Sequence, residues 1–171
     1  RLPEDEVEKA QNIKKQKEVF IAQIEFAKKV KKPLIVHIRD ASNDSRQILV
    51  DYNAKEVGGV LHCYNASEHL LPLAEHNFYF GIGGVLTFKN AKKLIEVLPK
   101  IPKDKLLIET DAPYLTPHPH RGERNEPYYT VFVASKMAEL LEISVEEIEN
   151  ITTSNAKKLF KEFSSLCLDT I

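Results

Sequence analysis

Short apolar strands alternate with amphipathic helices along this chain, and no other feature limits its fold as strongly. Apolar runs with the length of buried strands occupy residues 34–38, 60–64, 78–82 and 106–108. Because a helical segment separates each run from the next, consecutive strands are expected to run parallel, joined by right-handed crossovers. The pattern predicts an α/β protein, either an open doubly wound sheet or part of a (β/α)8 barrel.

Residues with helical spacing of their apolar side chains lie before, between and after these strands. Helices are predicted at residues 4–30, 44–53, 67–76, 91–98 and 128–141, and a closing pair is predicted to begin at Ser144 and Ser154. Pro72 falls inside the third helix and either lies in its first turns or divides it. Four strand-then-helix units are therefore expected.

The length of the chain bears on which of the two folds applies. The chain has 171 residues and four predicted strands, whereas a complete barrel has eight strands and usually about 250 residues. It also begins with a helix that no strand precedes. We therefore expect roughly the second half of a TIM (β/α)8 barrel over residues 1–163, followed by a tail at 164–171.

Composition excludes several classes of protein. With 43% hydrophobic residues the chain can bury one sizeable core, and 24 Lys and Arg against 25 Asp and Glu leave no broad cationic field. Any contact with nucleic acid must therefore be local. No apolar run approaches the roughly 20 residues of a membrane span, and Cys63 and Cys167 are too few for a disulfide framework. A cytoplasmic protein with free thiols and no membrane partner is predicted.

Residues able to bind metal follow three of the predicted strands. His37, His62 and Asp111 each come at the carboxyl end of an apolar run, where functional groups cluster in parallel α/β proteins. Two imidazoles and a carboxylate suit zinc, manganese, magnesium or iron. The alternative is that both histidines are ordinary strand-end residues and that Asp111 caps a turn. Cys63 is expected to point away from His62 on an extended strand and to pack in the core.

Two further segments have compositions that suit phosphate binding. The glycine-rich run 81–84 offers close approach to backbone N–H groups, although a tight strand exit explains it equally well. The loop 121–127 holds two arginines and an asparagine shortly after Asp111. Guanidinium groups bind phosphate through paired hydrogen bonds, although a charged loop is more often simply solvated.

Five sequence motifs occur in a characteristic order. They are PLIVHIRDA (33–41), GVLHCY (59–64), GIGGVLTF (81–88), LIETDAPYL (107–115) and RGERNEP (121–127). With these motifs the chain resembles the TatD-type metal-dependent deoxyribonucleases of the amidohydrolase superfamily, from about residue 1 through 160. The resemblance implies a (β/α)8 barrel with a centre of one or two divalent metal ions, and it does not choose among Mg, Mn and Zn.

The resemblance also assigns residues within that barrel. It implies that His37, His62 and Asp111 match metal ligands on the fifth, sixth and eighth strands. The family's other ligands, a His-x-His pair on the first strand and a glutamate on the fourth, have no counterpart in this sequence. The expectation is that about four βα units are absent, so that the chain is a fragment or two copies complete one another.

The resemblance implies a divalent-metal-dependent hydrolase that cleaves DNA or another phosphodiester substrate through a metal-activated water. Asp111 would be the catalytic residue, holding metal and orienting or deprotonating the water. Arg39, Arg124 and Asn125 are the candidates for contact with phosphate. Two alternatives stay open at this point: hydrolysis of an amide, ester or lactone by the same ligands, and a non-catalytic binding or assembly module without the amino-terminal ligands.

Overall fold

Four parallel strands form one sheet in the computed structural model, which describes residues 5–161. The strands are β1 (Leu34–His37), β2 (Gly59–His62), β3 (Phe78–Ile82) and β4 (Leu106–Ile108). Their order across the sheet is the same as their order along the chain, and all three pairings are parallel. This sequential order is the one found around a barrel, whereas a doubly wound sheet reverses its order at a switch point. The predicted parallel α/β architecture is confirmed.

Helices fill the connections as the periodicity predicts. The α-helices are α1 (Glu6–Val30), α2 (Ser42–Asp51), α3 (Lys92–Val97), α4 (Thr130–Leu141) and α5 (Val145–Leu159). Helix α1 begins at the N-cap Asp5, whose side chain accepts a hydrogen bond from the Glu8 N–H. It ends where Lys31 adopts φ = 56° and Pro33 follows, since a left-handed residue and a proline both stop helical hydrogen bonding.

Two predicted helical segments differ from the observed ones. Residues Glu68–His76 form a 3-10 helix with Pro72 inside it, because proline lacks the N–H that a regular α-helix would need at that position. The predicted pair of closing helices is a single helix, α5, and Ser154 lies in its interior. Only Ser144 acts as an N-cap, since its side chain accepts a hydrogen bond from the Glu147 N–H.

The two faces of the sheet have different surroundings. Side chains at Val36, Leu61, Phe80 and Leu106 are paired in register and buried in the main hydrophobic core. Alternation along a strand then places His37 and His62 on the opposite face, two residues beyond Ile35 and Val60. The main apolar core therefore lies on one face of the sheet, and the candidate ligands lie at the carboxyl edge of the other face, which carries a smaller apolar cluster of Val60, Tyr79, Leu107 and Leu159.

Some predictions concern segments beyond this description. The tail at 164–171 and Cys167 lie outside the described residues. Within residues 5–161, none of the helices has both the length and the apolar character that crossing a membrane requires.

Candidate metal centre

His37 and His62 are the last residues of two neighbouring strands. They are partners in the register of β1 and β2, and their ring centroids lie 5.9 Å apart with planes inclined by 49°. Parallel strands end at the same edge of a sheet, which is why two histidines 25 positions apart in the sequence become neighbours. The structure therefore brings both predicted histidines to one mouth of the sheet, with the His37 side chain exposed and that of His62 partly buried.

Two carboxylates reach the same edge from the segment that follows β4. Glu109 and Asp111 stand two positions apart, and both face His62. The His62 Nδ1 atom lies 2.7 Å from Glu109 Oε2, and the His62 Nε2 atom lies 3.3 Å from Asp111 Oδ1. One ligand atom from each of the three residues can be chosen so that all lie within 4.8 Å of one another. The imidazole of His62 is thus held between two acidic groups.

A glycine on β3 makes this contact possible. Strand β3 separates β2 from β4, so the Glu109 side chain must cross it to reach His62. Gly81 lies at the crossing point, and a Cβ atom built there would overlap the Glu109 carboxylate. The missing side chain therefore opens a gap through which a residue from one strand end contacts a residue two strands away.

Both oxygens of the Glu109 carboxylate contact groups of the protein. Its Oε1 atom accepts a 2.6 Å hydrogen bond from the Cys63 backbone N–H, while its Oε2 atom faces His62 Nδ1. Burial raises the pKa of Glu109, and the contacts with His62 and with the Cys63 N–H lower it in part. A proton on His62 Nδ1 satisfies this hydrogen bond and leaves the lone pair of Nε2 directed toward Asp111. Glu109 therefore orients His62, as carboxylates behind metal-binding histidines do.

The donors that remain free suit a divalent metal ion. Two ligands bound at 2.0–2.1 Å in tetrahedral geometry stand roughly 3.3 Å apart, which agrees with the 3.3 Å between His62 Nε2 and Asp111 Oδ1. His37 adds a second imidazole on the adjacent strand. Imidazole nitrogen with carboxylate oxygen is a donor set used for zinc, manganese and iron. The residues present therefore fit a metal ion between His62 and Asp111, whereas His37 stands beside this pair and outside the group of ligand atoms that lie within 4.8 Å of one another.

Cys63 differs from its predicted position. The extended strand ends at His62, and Cys63 adopts the left-handed conformation with φ = 48°. Its thiol is half-buried beside Asp111, and burial together with the charges of Asp111 and Glu109 raises its pKa to about 12. The prediction that Cys63 points away from the site and packs in the core was wrong, because it assumed that the chain stays extended past His62.

The three predicted phosphate contacts have different surroundings. Arg39 is exposed and lines a groove between α1 and α2 that also includes His37. The Arg124 side chain is 76% exposed and lies 3.2 Å from Glu126. Asn125 is only 3% exposed, and both of its amide hydrogens are used, in bonds to Thr110 Oγ1 and to the Tyr114 carbonyl. Asn125 therefore has no donor left for a phosphate and instead holds the loop against the segment that contains Asp111.

Sequence reasoning missed Glu109 as a functional residue, although a signal for it was present. Glu109 and Asp111 are separated by one residue directly after a buried strand, and residues two apart on an extended segment share a side. An acidic residue on the same side as a candidate ligand is a reason to include it. The partner of Glu109 could not be found in the same way, because His62 is 47 positions away and on another strand.

Comparisons with known proteins identify a family and several relatives of this chain. The family model described as TatD related DNase matches residues 4–161. The metal-dependent hydrolase YabD of Bacillus subtilis (strain 168), itself uncharacterized, is 54% identical over 147 residues, which are 85% of this chain and 58% of YabD. The uncharacterized metal-dependent hydrolase YcfH of Escherichia coli (strain K12) is 42% identical over 147 residues, covering 85% of this chain and 56% of YcfH. The chain spans little more than half the length of these curated relatives.

Solved structures show the same fold. The crystal structure of YjjV, a TatD homolog from Escherichia coli K12, superposes with a TM-score of 0.75 at 28% identity, over 81% of this chain and 54% of YjjV. A TatD family hydrolase from Entamoeba histolytica gives a TM-score of 0.70 at 22% identity, over 94% of this chain and 59% of that protein, a likeness of fold alone. Because the family model matches nearly the whole chain, this protein belongs to the TatD related DNase family.

Proposed function

We propose that this site binds a divalent metal ion, Mg, Mn or Zn, through His62 Nε2, the Asp111 carboxylate and His37. The observation that carries the proposal is the position of His62, which bonds Glu109 through Nδ1 and faces Asp111 through Nε2. An imidazole oriented by a carboxylate on one side and paired with a free carboxylate on the other is typical of metal sites. The names of YabD and YcfH as metal-dependent hydrolases support the same conclusion.

The proposed reaction is hydrolysis of phosphodiester bonds in DNA. Held by these residues, a divalent ion would lower the pKa of a bound water and would polarise a phosphoryl oxygen of the substrate. The description of the family as TatD related DNase supports DNA as the substrate. Since the chain carries no broad positive field, binding of DNA would depend on individual cationic groups near the site rather than on the whole surface.

Asp111 has the central role among the residues of this chain. In the proposed step the water oxygen forms a bond to phosphorus, the bond from phosphorus to the leaving sugar oxygen breaks, and Asp111 accepts the proton of the water. The same proton then passes to the leaving oxygen, so that Asp111 is regenerated. Glu109 keeps His62 in one tautomer and orientation throughout, because both of its oxygens are already bonded.

Arg39 and Arg124 are proposed to contact the phosphates of the substrate. Arg39 lies two residues beyond His37 in the groove next to α1, and Arg124 lies next to Asn125, which is bonded to the segment around Asp111. The pairing of Arg124 with Glu126 is exposed, and such pairs contribute little free energy. Either guanidinium group can therefore turn toward a phosphate at small cost.

We also propose that β1 to β4 are four of the eight strands of a TIM (β/α)8 barrel. Their sequential, all-parallel order supports this arrangement. So does the location of the candidate ligands, since the functional residues of such barrels lie at the carboxyl ends of the strands.

The test combines metal analysis with an activity assay. The protein is stripped with a chelator and reloaded separately with Mg²⁺, Mn²⁺ or Zn²⁺, and its cleavage of a fluorescent oligonucleotide is measured. His37→Ala, His62→Ala and Asp111→Asn are each expected to lower bound metal in elemental analysis and to lower cleavage together, by about a hundredfold for His62 and Asp111. Unchanged metal content in these variants would contradict the proposal.

His76→Ala is the matched control, because it removes an imidazole at the opposite edge of the sheet, just before β3 begins. It is expected to leave metal content and cleavage unchanged. Amide, ester and lactone substrates are tested with the same proteins. Metal-dependent turnover of one of them without cleavage of DNA would retain the metal site and reject the phosphodiester substrate.

A further inference from the structure

Tyr114 is an exposed aromatic residue three positions after Asp111. It is 74% exposed, more than any other large hydrophobic residue of the described chain. Single exposed aliphatic residues are common on protein surfaces, but an exposed aromatic ring on the segment that carries the proposed catalytic residue presents a flat face to ligands. Tyr114 is therefore a candidate for contact with substrate rather than with the core.

The backbone that carries this ring is held in place. The Tyr114 N–H donates to the Asp111 carbonyl at 2.7 Å, and the Tyr114 carbonyl accepts from Asn125 Nδ2 at 2.6 Å. The Asn125 N–H donates to the Pro113 carbonyl at 3.1 Å, and Asn125 itself is buried. Because the backbone on both sides is already bonded, contact between a ligand and the ring requires no further ordering of the backbone. The position of Tyr114 is also tied directly to that of Asp111.

A cationic side chain lies on the segment around Asn125, which is hydrogen-bonded to the segment around Tyr114. Arg124 directly precedes Asn125, and its side chain is 76% exposed. An aromatic face and a guanidinium group together match the two parts of a nucleotide, since bases stack on aromatic rings and Arg binds phosphate in paired hydrogen bonds.

We infer that Tyr114 determines substrate preference by stacking on the base of a nucleotide whose phosphate lies at Asp111. This inference rests on the proposed function and adds the residue that recognises the base. Every base presents a π face. Tyr114 is therefore expected to favour a nucleotide with a base over an abasic one, and to discriminate little among the four bases. It takes no part in bond making, which belongs to Asp111.

The first experiment compares dinucleotides that contain a single phosphodiester bond. Three are used: thymidine dinucleotide, and two analogues in which hydrogen replaces either the 5′ or the 3′ base. The wild-type protein is expected to lose about tenfold in kcat/KM on one of the two abasic analogues. Tyr114→Ala is expected to lose a similar factor on the complete dinucleotide, and to match wild type on that same abasic analogue.

Two variants serve as controls. Tyr114→Phe keeps the stacking face and is expected to retain the wild-type preference. Tyr128→Ala removes another exposed aromatic residue at the carboxyl side of the sheet, 63% exposed. It is expected to leave kcat/KM unchanged. If Tyr114→Ala loses kcat/KM on that abasic analogue by the same factor as on the complete dinucleotide, the effects of the ring and of the base are independent. The base is then recognised elsewhere, and the inference is rejected. The same conclusion follows if Tyr114→Ala leaves kcat/KM unchanged.

The second experiment measures stacking by fluorescence and does not use hydrolysis as its signal. A dinucleotide that contains 2-aminopurine loses fluorescence when that base stacks, and it is titrated with metal-loaded protein in excess. Quenching is expected with wild type and Tyr114→Phe and not with Tyr114→Ala. Absence of quenching with wild type rejects the inference. If wild type cleaves the same dinucleotide without quenching it, the proposed phosphodiesterase function is retained. Quenching without any cleavage supports the stacking contact and rejects the proposed reaction.

Discussion

Gly81 and Glu109 show how a single missing side chain organises the site at the scale of residues. Gly81 occupies the space between β2 and β4, so that the Glu109 carboxylate can lie against His62. Both oxygens of that carboxylate are bonded, one to His62 and one to the Cys63 N–H. Burial raises the pKa of Glu109 in the absence of such partners, and the bonds to its charged form offset part of that rise. The orientation of His62 therefore depends on two residues that need not touch a metal ion.

Substitution of Gly81 tests this dependence. In Gly81→Ala the new methyl group overlaps the Glu109 carboxylate, which must move away and release His62 Nδ1. Because changes in residues that orient a metal-binding histidine typically cost 10-fold to 100-fold in affinity, we expect the dissociation constant for Zn²⁺ to rise by roughly that factor. Glu109→Gln is expected to weaken binding in the same direction. Isothermal titration of the metal-free protein measures both.

Gly83→Ala provides the control. A Cβ atom at Gly83 would come no closer than 3.5 Å to Glu109 Oε1, an ordinary van der Waals distance, so metal affinity is expected to stay within about twofold of wild type. An equal loss in Gly81→Ala and Gly83→Ala would show that the two glycines act through general strand geometry and not through space for Glu109.

At the scale of elements, α5 supports the strand that precedes the two carboxylates. Asn155 in α5 is 2% exposed, and its Nδ2 donates to the carbonyls of Lys103 and Leu106 at 2.9 Å each. These carbonyls flank the start of β4, so the helix fixes one end of the strand whose other end leads into Glu109 and Asp111. Helix α5 itself is started by Ser144, with Glu146 and Glu147 in its first turn, where negative charge complements the helix dipole.

Two serine substitutions test where α5 begins. Ser144→Ala removes the side-chain acceptor for the Glu147 N–H, and it is expected to lower the free energy of unfolding by about 1 kcal/mol. Ser154→Ala lies in the exposed interior of the helix and is expected to be neutral or stabilising by up to about 0.5 kcal/mol, since Ala has the higher helix propensity. Urea denaturation measures both. A larger loss from Ser154→Ala would indicate that a second helix begins at Ser154.

At the scale of the whole molecule, the site joins two parts of the chain that local interactions do not connect. His62 belongs to β2 and Asp111 follows β4, and both must be folded together before an ion can contact them. A ligand that binds only the folded state adds its binding free energy to the stability of that state. Metal binding should therefore be visible as resistance to unfolding, independently of catalysis.

Thermal unfolding measures this linkage. At a metal concentration one hundred times the dissociation constant, we expect a gain of about 2.7 kcal/mol, which corresponds to an increase in Tm of roughly 6–10 °C for a chain of this size. Asp111→Asn is expected to abolish most of the gain. Glu68→Gln neutralises an exposed carboxylate that is paired with Lys100 and is not one of the proposed ligands, and it is expected to keep the gain in full. A metal-independent Tm in wild type would contradict binding by the folded state.

Local patterns in the sequence were sufficient for the order of elements and for placing three candidate ligands, His37, His62 and Asp111, at one edge of the sheet. The apolar runs before His37 and His62 predict strands, and the helical segments between them predict parallel pairing, so both histidines could be placed at one edge of the sheet. These conclusions need only the periodicity of side chains and the handedness of crossovers, which neighbouring residues determine.

How those residues are used depends on contacts between distant parts of the folded chain. The tertiary structure brings Glu109 across Gly81 to His62, turns the chain at Cys63 so that the thiol lies beside Asp111, and buries Asn125 against Thr110 and Tyr114. Each of these contacts joins residues 11 to 48 positions apart or depends on a left-handed backbone. Such contacts depend on strand register and on the space left by a missing side chain, and local periodicity contains neither.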